Sequence, residues 1–141
     1  MIRHGDARAA IVDILKNYTP ELLGFDVTVS SSLNGWTPEQ RWIMVSREGG
    51  LKHYPFKIDR PRIDIVTYAP EEETAFHLCV IAEGSIFRAR NIYSGMGVRL
   101  QWVIEEVGPT EVWDKHEESP SYFLSLRLTT TPDPISMPTA S

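Results

Sequence analysis

The segment Asp59–Ala75 constrains the fold most, because it specifies a strand, both strand ends and the start of the next helix. Pro61 has no amide hydrogen to donate to a central ladder, so it is expected to open the strand. Pro70 suits the first turn of a helix. The three glutamates of Glu71–Glu73 follow, where the helix dipole favours negative charge. The pattern predicts a strand that leads directly into a helix.

The strand predicted over Arg62–Tyr68 has two chemically different faces, because successive side chains of a strand point to opposite sides. One face carries Ile63, Ile65 and Thr67. The other carries Arg62, Asp64 and Tyr68. A sheet with one buried face and one polar face is therefore expected here.

Hydrophobic periodicity predicts two helices and four further strands. The helices are expected over Ala7–Asn17, with Asp6 as N-cap, and over Glu72–Arg90. The further strands are expected over Phe25–Ser30, Trp42–Arg47, Val98–Glu105 and Tyr122–Thr129. Gly49 and Gly50 are expected to end the second strand, and Leu51–Arg60 to be irregular.

The two last strands show the cleanest alternation in the chain. Between Val98 and Glu105 the predicted apolar face consists of Val98, Leu100, Trp102 and Ile104. The element order is α-β-β-β-α-β-β, which predicts an α+β fold with a largely antiparallel or mixed sheet and both helices on one face. Residues 1–131 are expected to form a single domain, and residues 132–141, which contain three prolines, a flexible tail.

Composition narrows the class of protein. The chain has 141 residues, enough to bury a core without disulfides, and its single cysteine suits a reducing compartment. A net charge of −5 disfavours a protein that grips nucleic acid phosphates. No apolar run approaches the ~20 residues of a membrane span, and the N-terminus does not resemble a signal peptide.

No pattern in the chain predicts catalysis, a cofactor or a metal. The four histidines are scattered, without a second histidine at helical spacing. Cys79 lies within the apolar stripe of the second helix, so it is interpreted as a core residue and not as a nucleophile. The glutamates at Glu71–Glu73 are explained by the helix dipole alone.

The polar face of the sheet and several loop aromatics are the candidate interaction residues. Charges of both signs on one flat face suit a contact between subunits, although plain solvent exposure is the simpler alternative. Aromatic side chains in loops favour an interface, although such side chains also fold back over cores. The candidates are Arg60, Arg62, Asp64, Arg99, Gln101, Glu105, Arg127, Trp36, Tyr54, Phe56 and Trp113.

The stretch Asp59–Ala82 resembles the tail terminator proteins of long-tailed bacteriophages, in the form found in phages of actinobacteria. The likeness extends over residues 1–131 through short motifs in the family's order. They are the Gly-Gly pair that ends Val45–Gly50, the strand that leads to Gly-Pro at Val107–Pro109, the tryptophan loop at Trp113-Asp114, and Pro120-Ser121-Tyr122. Two departures are a longer, more aromatic segment at Leu51–Ile58 and Ser121 in place of a common arginine.

The resemblance implies a structural virion protein without chemistry of its own. Such proteins form a homo-oligomeric, hexameric ring at the head-proximal end of the tail. The ring caps the tail tube protein, stops tube polymerisation and docks the head-completion, or stopper, protein. DNA passes through the lumen without specific binding, and an acidic lumen suits that passage. Reversing Arg62 or Asp64 is expected to prevent assembly and leave the monomer folded.

Several alternatives remain open at this point. Another neck component, such as a head-completion protein, or a tail tube subunit would share the size and element pattern. A small cytoplasmic enzyme using Asp64, His77 or Glu105 would show those side chains in one deep pocket. A monomeric binding module would differ from a ring in its mass in solution.

Overall fold

A computed structural model describes residues 6–53, 58–112 and 119–132 of the chain. It shows an α+β protein with three helices and a six-stranded mixed sheet, so the predicted fold class is confirmed. In chain order the elements are α1 (Ala7–Asn17), a 3-10 helix (Pro20–Phe25), β1 (Val27–Ser30), β2 (Arg41–His53), β3 (Ile58–Tyr68), α2 (Glu72–Ala89), β4 (Ser94–Gly95), β5 (Val98–Val112) and β6 (Ser121–Pro132). The 3-10 helix and β4 were not predicted.

The strand order across the sheet is β1-β2-β3-β6-β5-β4. β1 runs parallel to β2, and every other neighbouring pair is antiparallel. Both α-helices pack on the same face, with α1 against β1 and β2, and α2 against β3, β6 and β5. This arrangement confirms the predicted single helical layer. No helix of the described residues packs on the opposite face of the sheet, called the outer face below.

Local sequence explains both helices and the core between the layers. The Asp6 carboxylate caps α1 by accepting a 3.0 Å hydrogen bond from the Ala9 amide, as expected for an N-cap. α2 has Glu72 and Glu73 in its first turn, where the helix dipole favours them. The α2 stripe is fully buried against the sheet, and the two sides of this contact are Ala75, Leu78, Cys79, Ala82 and Ile86 on α2, and Ile63, Ile65, Leu124, Leu126 and Leu128 on the sheet.

The expected break at Gly49 and Gly50 is wrong, because β2 continues through both glycines to His53. The register with β3 shifts by one residue between Arg47 and Gly50, which is a β-bulge that glycine accommodates. Pro61 pairs with Gly50 inside β3 and does not open the strand. A proline is tolerated there because the bulge already disrupts the ladder. Residues on both sides of the 53–58 connection are therefore paired strands and not irregular chain.

The predicted phase of β5 is also wrong beyond Leu100. The register with β6 shifts between Leu100 and Trp102, so Gln101 is the extra residue of a bulge. After this bulge Val103 faces the core and is 2% exposed, whereas Trp102 and Ile104 are 47% and 52% exposed. A one-residue shift exchanges the two faces of a strand. The bulge therefore transfers two large apolar side chains from the core to the surface.

Candidate interaction surface

The outer face is organised in rows that follow the strand register. The register places an apolar row, a hydroxyl–carboxylate row and an arginine row side by side across the sheet. These rows are Met44, Val66 and Phe123; Ser46, Asp64 and Ser125; and Arg62, Arg127 and Ile104. Arg62, Asp64 and Arg127 give this face the charges of both signs that were expected, and these charges are concentrated towards one end.

Asp64 lies in the middle of the outer face, yet it is only 7% exposed. Its carboxylate accepts hydrogen bonds of 3.1 and 3.0 Å from Nε and Nη2 of Arg62 and one of 2.7 Å from Oγ of Ser125. The bond with Asp64 raises the pKa of Arg62. Because the carboxylate is satisfied within the subunit, Asp64 orients Arg62, whose guanidinium is the accessible part of the pair.

Arg127 is held beside the Arg62–Asp64 pair by two contacts. Its Nε donates a 2.5 Å hydrogen bond to Oε1 of Glu106, and its Nη1 donates to the carbonyl oxygen of Arg60 at 3.2 Å. Glu106 is the extra residue of a second β5 bulge, between Glu105 and Val107. This bulge brings the carboxylate within reach of Arg127. Two of the candidates, Arg60 and Arg127, are therefore neighbours, because the Arg127 side chain contacts the Arg60 backbone.

An exposed apolar group on β5 borders these charges. Trp102, Ile104 and Val107 are all exposed on the described surface. The Arg90 guanidinium lies 4.9 Å from the Trp102 ring centroid, a cation–π contact at the sheet edge. Sequence reasoning missed this group, because strict alternation assigned Trp102 and Ile104 to the core. No signal in the sequence marks Gln101 as a bulge.

The Trp36 candidate folds back onto the outer face at its far end. Its ring lies 5.4 Å from the Tyr68 ring centroid. In the same loop, the carbonyl oxygen of Ser32 accepts a 2.9 Å hydrogen bond from Nε1 of Trp42. These contacts explain why Trp42 and Tyr68 are buried on a face that no helix covers. Trp36 therefore folds back over buried side chains, which is the simpler of the two interpretations of an aromatic residue in a loop.

Glu105 does not project from the outer face, which corrects its predicted position. It pairs in register with Leu126 of the core face, and its side chain meets Glu83 of α2. Burial, and secondarily the hydrogen bond and repulsion from Glu105, raise the pKa of Glu83 to about 7. Glu83 therefore gives up its proton near neutral pH and not near 4.5.

The remaining candidates divide into two groups. Arg99 is exposed and pairs in register with Thr131, and Gln101 donates a 3.0 Å hydrogen bond to Oγ1 of Thr131. Tyr54, Phe56 and Trp113 lie outside the described residues. The structure therefore brings together Arg60, Arg62, Asp64 and Arg127, and it separates Glu105 and Trp36 from them.

The residues considered for an enzyme do not meet in one cleft. Asp64 lies on the outer face, Glu105 on the helical side, and His77 is exposed on α2 with its ring 6.4 Å from that of Phe25. Cys79 is fully buried, and burial is the main cause that raises the pKa of its thiol to about 12. Its interpretation as a core residue is confirmed, because a thiol in this state is not a nucleophile at neutral pH.

A mostly apolar recess of about 320 Å³ opens between the ends of α1 and α2. Its lining includes Ile14, Tyr18, Ser85, Ala89, Ile92 and Tyr93. Tyr93 donates a 2.6 Å hydrogen bond to Oδ2 of Asp13, and burial together with this carboxylate raises the pKa of Tyr93. The phenol is therefore a structural donor at neutral pH.

Two further properties bear on function. No group of three or more His, Cys, Asp or Glu side chains in the described ranges is arranged to hold a metal ion. Among the same residues, no helix has the length and apolarity that crossing a membrane requires.

No protein-family model and no curated protein matches this sequence.

Proposed function

We propose that this chain is a structural virion protein, the tail terminator of a long-tailed bacteriophage. In this role it assembles into a ring that caps the tail tube, stops tube polymerisation and docks the head-completion protein. The observation that carries the proposal is the bare outer face, with its oriented arginines beside the exposed apolar group of Trp102, Ile104 and Val107. The resemblance of residues 1–131 to this family supplies the identity of the assembly.

A bare sheet face of this kind favours protein contact over solvent exposure. Exposed apolar side chains rimmed by charged ones are typical of interaction surfaces. The arginines are held by Asp64 and Glu106 within the subunit, so part of the entropic cost of ordering them is met before a partner arrives. The net charge of −5 suits a ring through which DNA passes without being bound.

The test is the mass and shape of the purified protein, alone and with tail tubes polymerised from the tube protein of the same genome. Light scattering and negative-stain electron microscopy are expected to show single rings, or one ring at a tube end. Long stacks of rings would identify a tube subunit instead. A protein that stays monomeric and does not bind tail tubes at any concentration would overturn the proposal.

A further inference from the structure

β5 has a long edge without a neighbouring strand. On the side away from β6, β4 pairs with β5 only at Val98 and Arg99, and no other strand in the part of the chain that the structure describes lies along this edge. From Trp102 to Val112 the edge therefore offers backbone groups to a partner. Edges of this length are usually shortened, covered or paired, because they attract other chains.

Exposed apolar side chains flank this edge on both sides. On the helical side lie Phe76 and Val80, one turn apart on α2, and on the outer side lie Ile104, Val107 and Val112. We call the edge Trp102–Val112 together with Phe76, Val80 and Glu83 the β5 rim. An apolar surface this extensive beside a free edge indicates a contact with a protein and not with water alone.

Beyond Trp102, which Arg90 contacts, the β5 rim is also acidic. Glu83, Glu105 and Glu111 lie along it, and no lysine or arginine of the described chain pairs with any of them. Oε2 of Glu83 is buried and has no hydrogen-bond partner among the described groups. A complementary partner therefore combines apolar or aromatic side chains with positive charge.

The bulges of β5 determine how such a partner is recognised. Register shifts interrupt the strand at Gln101, at Glu106 and between Val107 and Thr110, and Pro109 has no amide hydrogen. An added strand can form only short runs of backbone hydrogen bonds here. Side-chain complementarity, and not backbone pairing, must therefore select the occupant.

We propose that the segment Leu51–Ile58 of a second copy of this chain docks on the β5 rim. Its sequence, Leu-Lys-His-Tyr-Pro-Phe-Lys-Ile, combines two lysines with two aromatic residues and so matches the rim in both charge and apolarity. The inference rests on the ring assembly of the proposed function and specifies its subunit contact. It also gives a role to the part of the sequence that departs most from the family pattern.

Geometry requires the docked segment to belong to another molecule. The β3–β6 register begins at Asp59–Thr130, beside this segment, and ends at Tyr68–Ser121, beside the far end of β5. At ~3.3 Å per residue, these ends are about 30 Å apart. Trp102 at the near end of the rim is level with Asp59, but β6 and β5 lie between β3 and the free edge. The rim is therefore out of reach of the segment of the same copy, and each copy carries a separate donor and acceptor, as a head-to-tail ring requires.

Two charge-reversed variants test this contact. The donor variant is Lys52→Glu/Lys57→Glu, and the acceptor variant is Glu105→Lys/Glu111→Lys, at two exposed glutamates. The control, Glu39→Lys, makes the same kind of charge change at one exposed glutamate away from both the rim and the outer-face arginines. Circular dichroism checks folding, and Lys52→Gln and Glu105→Gln serve as milder versions if a double variant unfolds.

Sedimentation velocity is the readout, with each variant alone and with the two mixed in equal amounts. Each variant alone is expected to self-associate at least about tenfold more weakly than wild type, whereas the control assembles normally. The mixture is expected to regain association, because the intact donor of one variant meets the intact acceptor of the other and the two reversed patches again carry opposite charges. Recovery in the mixture alone identifies both surfaces and the head-to-tail arrangement.

The contrary outcomes separate this inference from the proposed function. If both variants form rings as wild type does, the contact lies elsewhere and the ring proposal stands. If both fail to assemble and their mixture does not regain association, segment 51–58 is not the occupant of the rim. A wild-type chain that stays monomeric, both free and with tail tubes, overturns the inference and the proposed function together.

Discussion

Ser125 donates a 2.7 Å hydrogen bond to Asp64 directly across the β3–β6 register, on the face of the sheet that neither α1 nor α2 covers. The same carboxylate accepts two bonds from Arg62. Arg62 and Ser125 therefore cover the Asp64 carboxylate and bury it. The outer face thus presents a guanidinium, while the carboxylate beneath it is part of the fold.

Asp64→Ala is expected to lower the free energy of unfolding by about 1–3 kcal/mol, because it leaves the buried Ser125 hydroxyl without its acceptor. Arg62→Ala is expected to cost less than Asp64→Ala, since Arg62 is the more exposed member of the pair. Urea denaturation of both variants measures the difference. Equal losses would contradict the assignment of Asp64 to the fold and Arg62 to the surface.

Arg62→Ala is the appropriate test of the outer face in assembly. The sequence alone suggested reversing either Arg62 or Asp64, but a cation at the buried Asp64 position would disturb the fold itself. The Arg62 variant is expected to remain folded and to weaken ring or tube-end assembly, as seen by negative-stain microscopy. Normal assembly by this variant would remove Arg62 from the contact.

Glu83→Gln is expected to stabilise the protein at pH 8 and to have little effect at pH 5. Folding raises the pKa of Glu83 from an ordinary 4.5 to about 7. The folded state therefore binds this proton more tightly, so stability falls as pH rises from about 4.5 through 7. The variant lacks this loss, which we place at about 1 kcal/mol after allowing for solvent screening. Melting temperatures of the wild type and of the variant between pH 5 and 8 measure the effect. If both melting temperatures changed in parallel with pH, the Glu83–Glu105 contact would be contradicted.

Gly84→Ala is expected to raise the free energy of unfolding by about 1 kcal/mol, because glycine in a helix interior costs conformational entropy. Gly84 lies exposed within α2, and a Cβ at this position would meet no atom within 4 Å. Thermal unfolding followed by circular dichroism measures the change. A destabilised variant would show that another molecule or segment approaches this helix surface closely.

Gly95→Ala is expected to destabilise the protein by about 1–3 kcal/mol, since close packing tolerates no added methyl group there. A Cβ on Gly95 would lie 2.5 Å from the Tyr93 hydroxyl and 3.4 Å from Oδ2 of Asp13. The clash would displace the hydrogen bond that joins these two side chains. Gly24→Ala, where a Cβ meets nothing within 4 Å, is the matched control.

Local patterns predicted the helices and the buried face of β3 well. Asp6 caps α1 as expected, and Ile63, Ile65 and Thr67 are all fully buried. These features depend on residues within one turn or one strand of each other. Periodicity and capping therefore carry the required information without reference to the rest of the chain.

The failures arise where a partner strand decides the outcome. Gly49 and Gly50 read as a break, but pairing with Pro61 keeps them in β2. The bulge at Gln101 exists only in relation to β6, so alternation along β5 could not reveal which face holds Trp102. The Glu83–Glu105 contact likewise joins elements that are remote in sequence. Most of the candidate surface depends on such register shifts.

The position of β6 has a consequence for the order of events during folding. β6 is the last strand in the described chain, but it lies in the middle of the sheet, between β3 and β5. Its Leu124, Leu126 and Leu128 fill the space beneath α2. Until residues 121–132 have left the ribosome, α2 has no complete surface to pack on, so closure of the core is a late, long-range event that slows folding.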